Sequence, residues 1–172
     1  MKQIKIIVIL LIVTLSGWGC SASNTLEGLS IRVERVVSGQ TLEYLDPTTQ
    51  TPTMQQVRLI GVAAPDLNQA PWGQAAREQL RQLIQGQEVT LELGIEARDR
   101  FNRVLAYVWL DGILLNQQLV EEGYVLADEQ LPNTKYSQTL AHAQLEARLM
   151  QRGIWDPQQP LRLTPREFRR QN

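Results

Sequence analysis

Apolar and polar positions alternate from Ile31 to Val37 (IRVERVV), with Ile31, Val33, Val36 and Val37 apolar, which predicts a half-buried strand. Ser38-Gly39 reads as a tight turn, and Gln40 to Leu45 (QTLEYL) returns as a second strand. Residues 46–52 (DPTTQTP) have loop composition. Met54 to Val62 follows as a third strand, almost wholly apolar from Val57 onward except for Arg58. Pro71 then opens a helix with Ala75, Ala76, Leu80, Leu83 and Ile84 on one face and Gly86 as its stop. Val89 to Leu93 alternates strictly and predicts a fourth strand; Val104 to Leu110 predicts a fifth, ending at the Asp111-Gly112 turn. Leu114, Leu115, Leu119 and Val120 mark a short helix closed by Gly123. Asn133 is placed to cap a last helix, with Tyr136, Leu140, Ala143, Ala147 and Met150 at helical spacing up to Gly153.

Three strands, a helix, two strands and two further helices indicate an α+β fold: a five-stranded OB-fold β-barrel with about three helices packed outside. Barrels of this kind usually carry oligonucleotide or oligosaccharide, but the fold alone does not choose between them. At 172 residues the chain has room for one domain with a real core. A formal net charge of -1 excludes the global basic field of many nucleic-acid binders. Only Lys2, Lys5 and Lys135 among the 17 basic residues are lysine. Arginine suits bidentate contact with phosphate or carboxylate, although surface preference explains such a skew equally well.

The N-terminus carries a targeting pattern. Lys2 and Lys5 precede the apolar run Ile6 to Val13 and Leu15, then small residues and Cys20. That is a charged region, an apolar region and a processing site, too short for a membrane span of roughly 20 apolar residues. Cys20 is the only cysteine, so no internal disulfide forms. A sole cysteine in this place resembles the lipidated cysteine of bacterial lipoproteins, though Gly17 stands where those signals usually have Leu. A plain secretory signal and an uncleaved anchor stay open beside it. The expected organisation is a signal over residues 1–20, a tether over 21–30, the barrel domain over 31–156 and a basic flexible tail over 157–172. The expected location is the bacterial cell envelope, beyond the cytoplasmic membrane and lipid-anchored to it.

Candidate chemistry sits around the interrupted third strand. Arg58 lies on it, Asp66 follows it, and Arg103 stands at the start of the fifth strand with Asp99 just before. Two arginines beside a carboxylate suit phosphodiester hydrolysis, because cations neutralise developing charge while the acid orients or deprotonates water. Spacing alone leaves surface ion pairs as the commoner explanation.

Several stretches together carry more. ERVVSGQTLEY, VRLIGVAAPD, GQAAREQL, RDRFNRVLAYVWLDGILLNQQLVEEG and GIWD, in this order from about Ile31 to Asp156, resemble the staphylococcal-nuclease-like (thermonuclease) family. The resemblance implies an OB-barrel and a calcium-dependent nuclease acting on DNA and RNA. It implies that Arg58 and Arg103 are the phosphate-clamping arginines and that Asp66 takes the place of the catalytic glutamate. The family's Asp-Gly-Asp-Thr turn reads Ser38-Gly39-Gln40-Thr41 here, so Gln40 replaces a calcium-binding aspartate. Ala63 replaces the second, and Ala64 the threonine beside it. Phe101 stands for a substrate-contacting tyrosine, and a later tyrosine pair has no counterpart in ADEQLPN. The implied metal ligands are thus reduced to Gln40 and Asp66. Calcium prefers 6–8 oxygens with carboxylates among them, so the expected cofactor is calcium if the chain is active, and possibly none.

Other candidates are weaker. His142 lies on a predicted helix and reads as a surface residue. Trp72, Trp109 and Trp155 offer stacking faces for bases but pack in cores more often. Four arginines follow Leu161 in the tail. The expectation is a monomeric domain that binds or slowly cleaves DNA or RNA, anchored to the membrane through its N-terminus. The alternative is a non-catalytic envelope OB-fold module that binds nucleic acid or a protein partner; a sugar-binding barrel is more distant.

Overall fold

A computed structural model describes residues 28–46 and 51–171. The signal segment and Cys20 lie outside these residues. Strand β1 (Leu29–Ser38) pairs antiparallel with β2 (Thr41–Asp46), and β2 with β3 (Thr53–Leu59). On its other edge β1 pairs with β5 (Glu88–Arg98), which pairs in turn with β6 (Val104–Leu110). Parallel pairing of β3 with β6, Val57 opposite Val104 and Leu59 opposite Ala106, closes the circuit. The result is a closed five-stranded mixed β-barrel of the OB type. Leu42, Val57, Leu59, Leu91, Ala106 and Val108 are wholly buried, as period-two alternation requires.

Four helices cover the barrel: α1 (Trp72–Ile84), α2 (Leu115–Glu121), α3 (Ser137–Leu149) and the short α4 (Pro165–Gln171). The apolar stripe of α1 buries Ala76, Leu80 and Ile84, and burying each large aliphatic side chain contributes about 1.5–3 kcal/mol. Leu119 and Val120 of α2 and Leu140 and Ala143 of α3 join the same core. The hairpin from β6 to β7 (Ile113–Leu114) turns at Asp111 and Gly112, whose φ values of 50° and 80° suit a type I′ turn.

Three details differ from the pattern reading. The third strand stops at Leu59, because Gly61 takes a φ of 75° and swings Val62–Ala63 away as β4, which pairs with β8 (Leu126–Ala127). The fourth runs on through residues 94–98 with a break in register between Leu93 and Arg98. Asn133 does not cap α3, which starts at Ser137; its amide fills that break, accepting from Glu96 N–H and donating to Glu96 C=O, both at 3.0 Å. A long-range bond of this kind leaves no mark on sequence periodicity.

Candidate functional site

Arg58 faces away from the barrel interior, since its strand neighbours Val57 and Leu59 are fully buried inside. It is nonetheless 7% exposed, because loops rise around it. Its guanidinium donates to the Leu59 carbonyl and, at 2.6 Å, to the Val62 carbonyl. Both acceptors flank the Gly61 bend, so the break in the strand is what creates the seat for the arginine. Burial lowers its pKa to about 10, helped by repulsion from Arg103 and Arg169 and opposed by Asp128 and Asp99. The group stays cationic at neutral pH.

Arg103 leaves a four-residue loop closed around Asp99. One Asp99 oxygen accepts from the backbone N–H of Phe101 at 2.9 Å and of Arg103 at 3.0 Å. The other accepts from Arg103 Nε and Nη2, each at 2.7 Å. Burial works to raise the Asp99 carboxyl, yet the Arg103 side chain and the two backbone N–H groups outweigh it and hold it below its ordinary value. Phe101 stands out at the loop tip, 65% exposed, with Arg100 and Arg103 guanidinium carbons 4.7 and 5.4 Å from its ring centre.

Asp66 sits on the loop between β4 and α1. Its N–H donates to Gln69 Oε1 at 2.8 Å, and its own carboxylate accepts from Asn68 N–H at 3.0 Å. Gly73, in the first turn of α1, passes so close that a Cβ there would lie 1.8 Å from the Asp66 carbonyl oxygen. Gln40 follows the β1–β2 turn; its backbone carbonyl accepts from Leu59 N–H at 2.9 Å. Its side-chain oxygen accepts from Ala64 N–H at 2.6 Å.

Gln40, Arg58, Asp66, Phe101 and Arg103, drawn from four separate stretches of chain, line one cavity of about 760 Å³. Ala64 lines it as well, while Ala63 stands on β4 just before. Among the described residues no group of three or more His, Cys, Asp or Glu side chains is placed to hold a metal ion. Two guanidiniums held by carbonyls and a carboxylate, lining the same cavity as Asp66, have the chemistry to receive a phosphate group. His142 is exposed on α3, and none of Trp72, Trp109 and Trp155 lines the cavity.

Residues 56–157 match the family described as Staphylococcal nuclease homologue. The chain belongs to that family. It is 36% identical over 140 residues to the thermonuclease of Staphylococcus intermedius, covering 78% of this chain and 81% of that protein. The thermonuclease of Staphylococcus hyicus is 33% identical over 129 residues, covering 72% and 74%. Endonuclease YhcR of Bacillus subtilis is 32% identical over 163 residues, 87% of this chain but 13% of that longer protein. The matched span of the staphylococcal nuclease family holds Arg58, Asp66, Phe101 and Arg103 and stops short of α4.

Sequence reasoning missed several contributors to the cleft, among them Glu96, Asp128, Gln69 and Arg169. Gln69 is buried and holds the Asp66 loop, and Arg169 of α4 reaches the cavity from residues read as tail. A signal existed for Arg169: Thr164-Pro165-Arg166-Glu167 is a helix-starting pattern.

Proposed function

We propose that this domain grips the phosphodiester backbone of DNA or RNA in the Arg58–Arg103–Asp66 cleft and hydrolyses it weakly. The observation that supports this most is the meeting of both arginines and the acid around one cavity. In this reading Arg58 and Arg103 neutralise the phosphate and the charge that develops on it, and Asp66 orients water. Phe101 lies against the bound strand.

Calcium, which the family resemblance implies, fits these residues poorly. Gln40 brings an amide oxygen that already accepts from Ala64 N–H, and Ala63 and Ala64 bring no side-chain oxygen. Of the positions that the resemblance implies as ligands, Asp66 alone supplies charge, against a preference for several carboxylates among 6–8 oxygens. The same bond favours a second reading, in which the cleft binds nucleic acid or a protein partner in the envelope without turnover. The signal pattern before Cys20 supports delivery to the envelope as a lipid-anchored protein.

Digestion of DNA and RNA by the mature protein across a calcium titration tests both readings. The unmodified protein is expected to cleave slowly even at millimolar calcium. Gln40→Asp combined with Ala63→Asp is expected to raise calcium affinity and turnover together, with three carboxylates then facing one ion. Each single change should recover less than half the free-energy gain, because both act on one ion. Rapid digestion by the unmodified protein, or no calcium response in the double variant, would overturn the account of the metal site.

A further inference from the structure

The last residues of the chain are built into the wall of the cleft. Thr164 and Glu167 form a reciprocal cap at the start of α4: Thr164 N–H donates to Glu167 Oε2 at 2.8 Å, and Glu167 N–H to Thr164 Oγ1 at 3.2 Å. Pro165, at the first helical position, is buried. The approach to this helix is tied to the Asp66 loop. Gln69 accepts from Asp66 N–H with its oxygen and donates from Nε2 to the Leu163 carbonyl at 3.0 Å. Trp72 Nε1 donates to the Gln159 carbonyl at 2.9 Å, and Leu161 N–H to the Ile154 carbonyl at 2.9 Å. These bonds bring Arg169 into the lining of the same cavity as Arg58 and Arg103.

We propose that Arg169 is a phosphate-binding residue of this cleft, a cation that joins Arg58 and Arg103 in holding a nucleic-acid strand there. The inference rests on the phosphodiester reading above and extends it to a part of the chain outside the family match. Arg100 lines the cavity as well, with its guanidinium against the Phe101 ring, and the other three guanidiniums differ in what they have left to give. Arg58 uses donors on the Leu59 and Val62 carbonyls, and Arg103 uses Nε and Nη2 on Asp99. Arg169 forms no ion pair or hydrogen bond among the described residues, so its whole fork is free for an anion. Glu96, Asp99 and Asp128 line the cavity too, so the attraction is local to the clamp and not a broad positive field. Arg169 and Arg103 both push against the charge of Arg58. A phosphate among them relieves that repulsion, which is how like charges become affinity for an anion.

Fluorescence anisotropy of a labelled single-stranded oligonucleotide, read across a salt series with the mature protein, tests this. Arg169→Gln is expected to weaken binding roughly five- to tenfold and to flatten the slope of log K against log salt by about 0.7. Arg170→Gln removes the same charge from the same helix at a position that does not line the cavity, and should change binding less than about twofold. Arg169→Lys should keep most of the salt slope. Equal losses in the Arg169 and Arg170 variants, or no loss in Arg169→Gln, would overturn the assignment of Arg169. If the unmodified protein ignores the oligonucleotide at low salt, or Arg58→Ala binds normally, the underlying phosphodiester reading falls and takes this one with it.

Discussion

The strand of Arg58 and the turn of Gln40 meet through a backbone hydrogen bond, Leu59 N–H to the Gln40 carbonyl, yet the two sides of the cleft they define are built differently. On the Arg58 side, charge is buried and held: two carbonyls seat Arg58, and Asp99 seats Arg103. Burying a cation without partners costs several kcal/mol, so those acceptors are conditions for its presence. On the Gln40 side, a neutral amide closes on a neutral backbone N–H, and two alanines fill the rest. The first side holds unrelieved electrostatic tension, which a ligand can use. In the second, the amide oxygen is already taken by Ala64 N–H. In the proposed reading binding and catalysis are separable: the two arginines are held by groups that take no part in a metal site.

The largest effect should come from the charged side. Arg58→Ala should raise Kd for an oligonucleotide by roughly ten- to a hundredfold, the value of a charge-assisted hydrogen bond of about 1.5–3 kcal/mol. Isothermal titration would show it; a loss no greater than that in a Gln40→Ala protein would erase the contrast. A middle-sized effect belongs to Asp99. Its carboxyl is held below its ordinary value of 3.8, so its contribution to stability is complete above that pH and fades as pH falls through the lowered value. Asp99→Asn should lower stability by about 1 kcal/mol at pH 7, and the gap from the parent should close as pH falls through that lowered value. Urea melts at several pH values measure this, and a gap that stays constant with pH would show that the ion pair is idle. The smallest effect is expected from Gln40→Ala. Losing one neutral bond to Ala64 N–H should cost about 0.5 kcal/mol in the same melts, the low end for a neutral bond, with affinity changed less than about twofold.

The barrel and the clamp were legible because their signals are local. Strict alternation marked Val89 to Leu93, and a lone arginine in an apolar strand marked Arg58. What escaped depends on bonds between distant residues. Gln69 and Leu163 are 94 positions apart, and Asn133 and Glu96 are 37 apart; neither pairing shapes the periodicity around it. The bend at Gly61 was hidden by the apolar residues on both sides, which read as one continuous strand. The helix at Thr164 was locally written, but the arginines around it suggested a solvated tail by composition alone.

Gly73 adds something about how such a site can change over generations. The Asp66 loop rests against the bare main chain of α1, at a distance that admits no side chain at all. The acid is thus located partly by backbone against backbone, alongside the bond that its N–H makes to the Gln69 side chain. Residues 40 and 64 meet beside this loop through a single hydrogen bond, which leaves them some freedom to change. Position 73 has no such freedom: any residue larger than glycine must push the loop away, and the acid with it. The cleft thus behaves as a socket whose fittings are exchangeable and whose mounting is not.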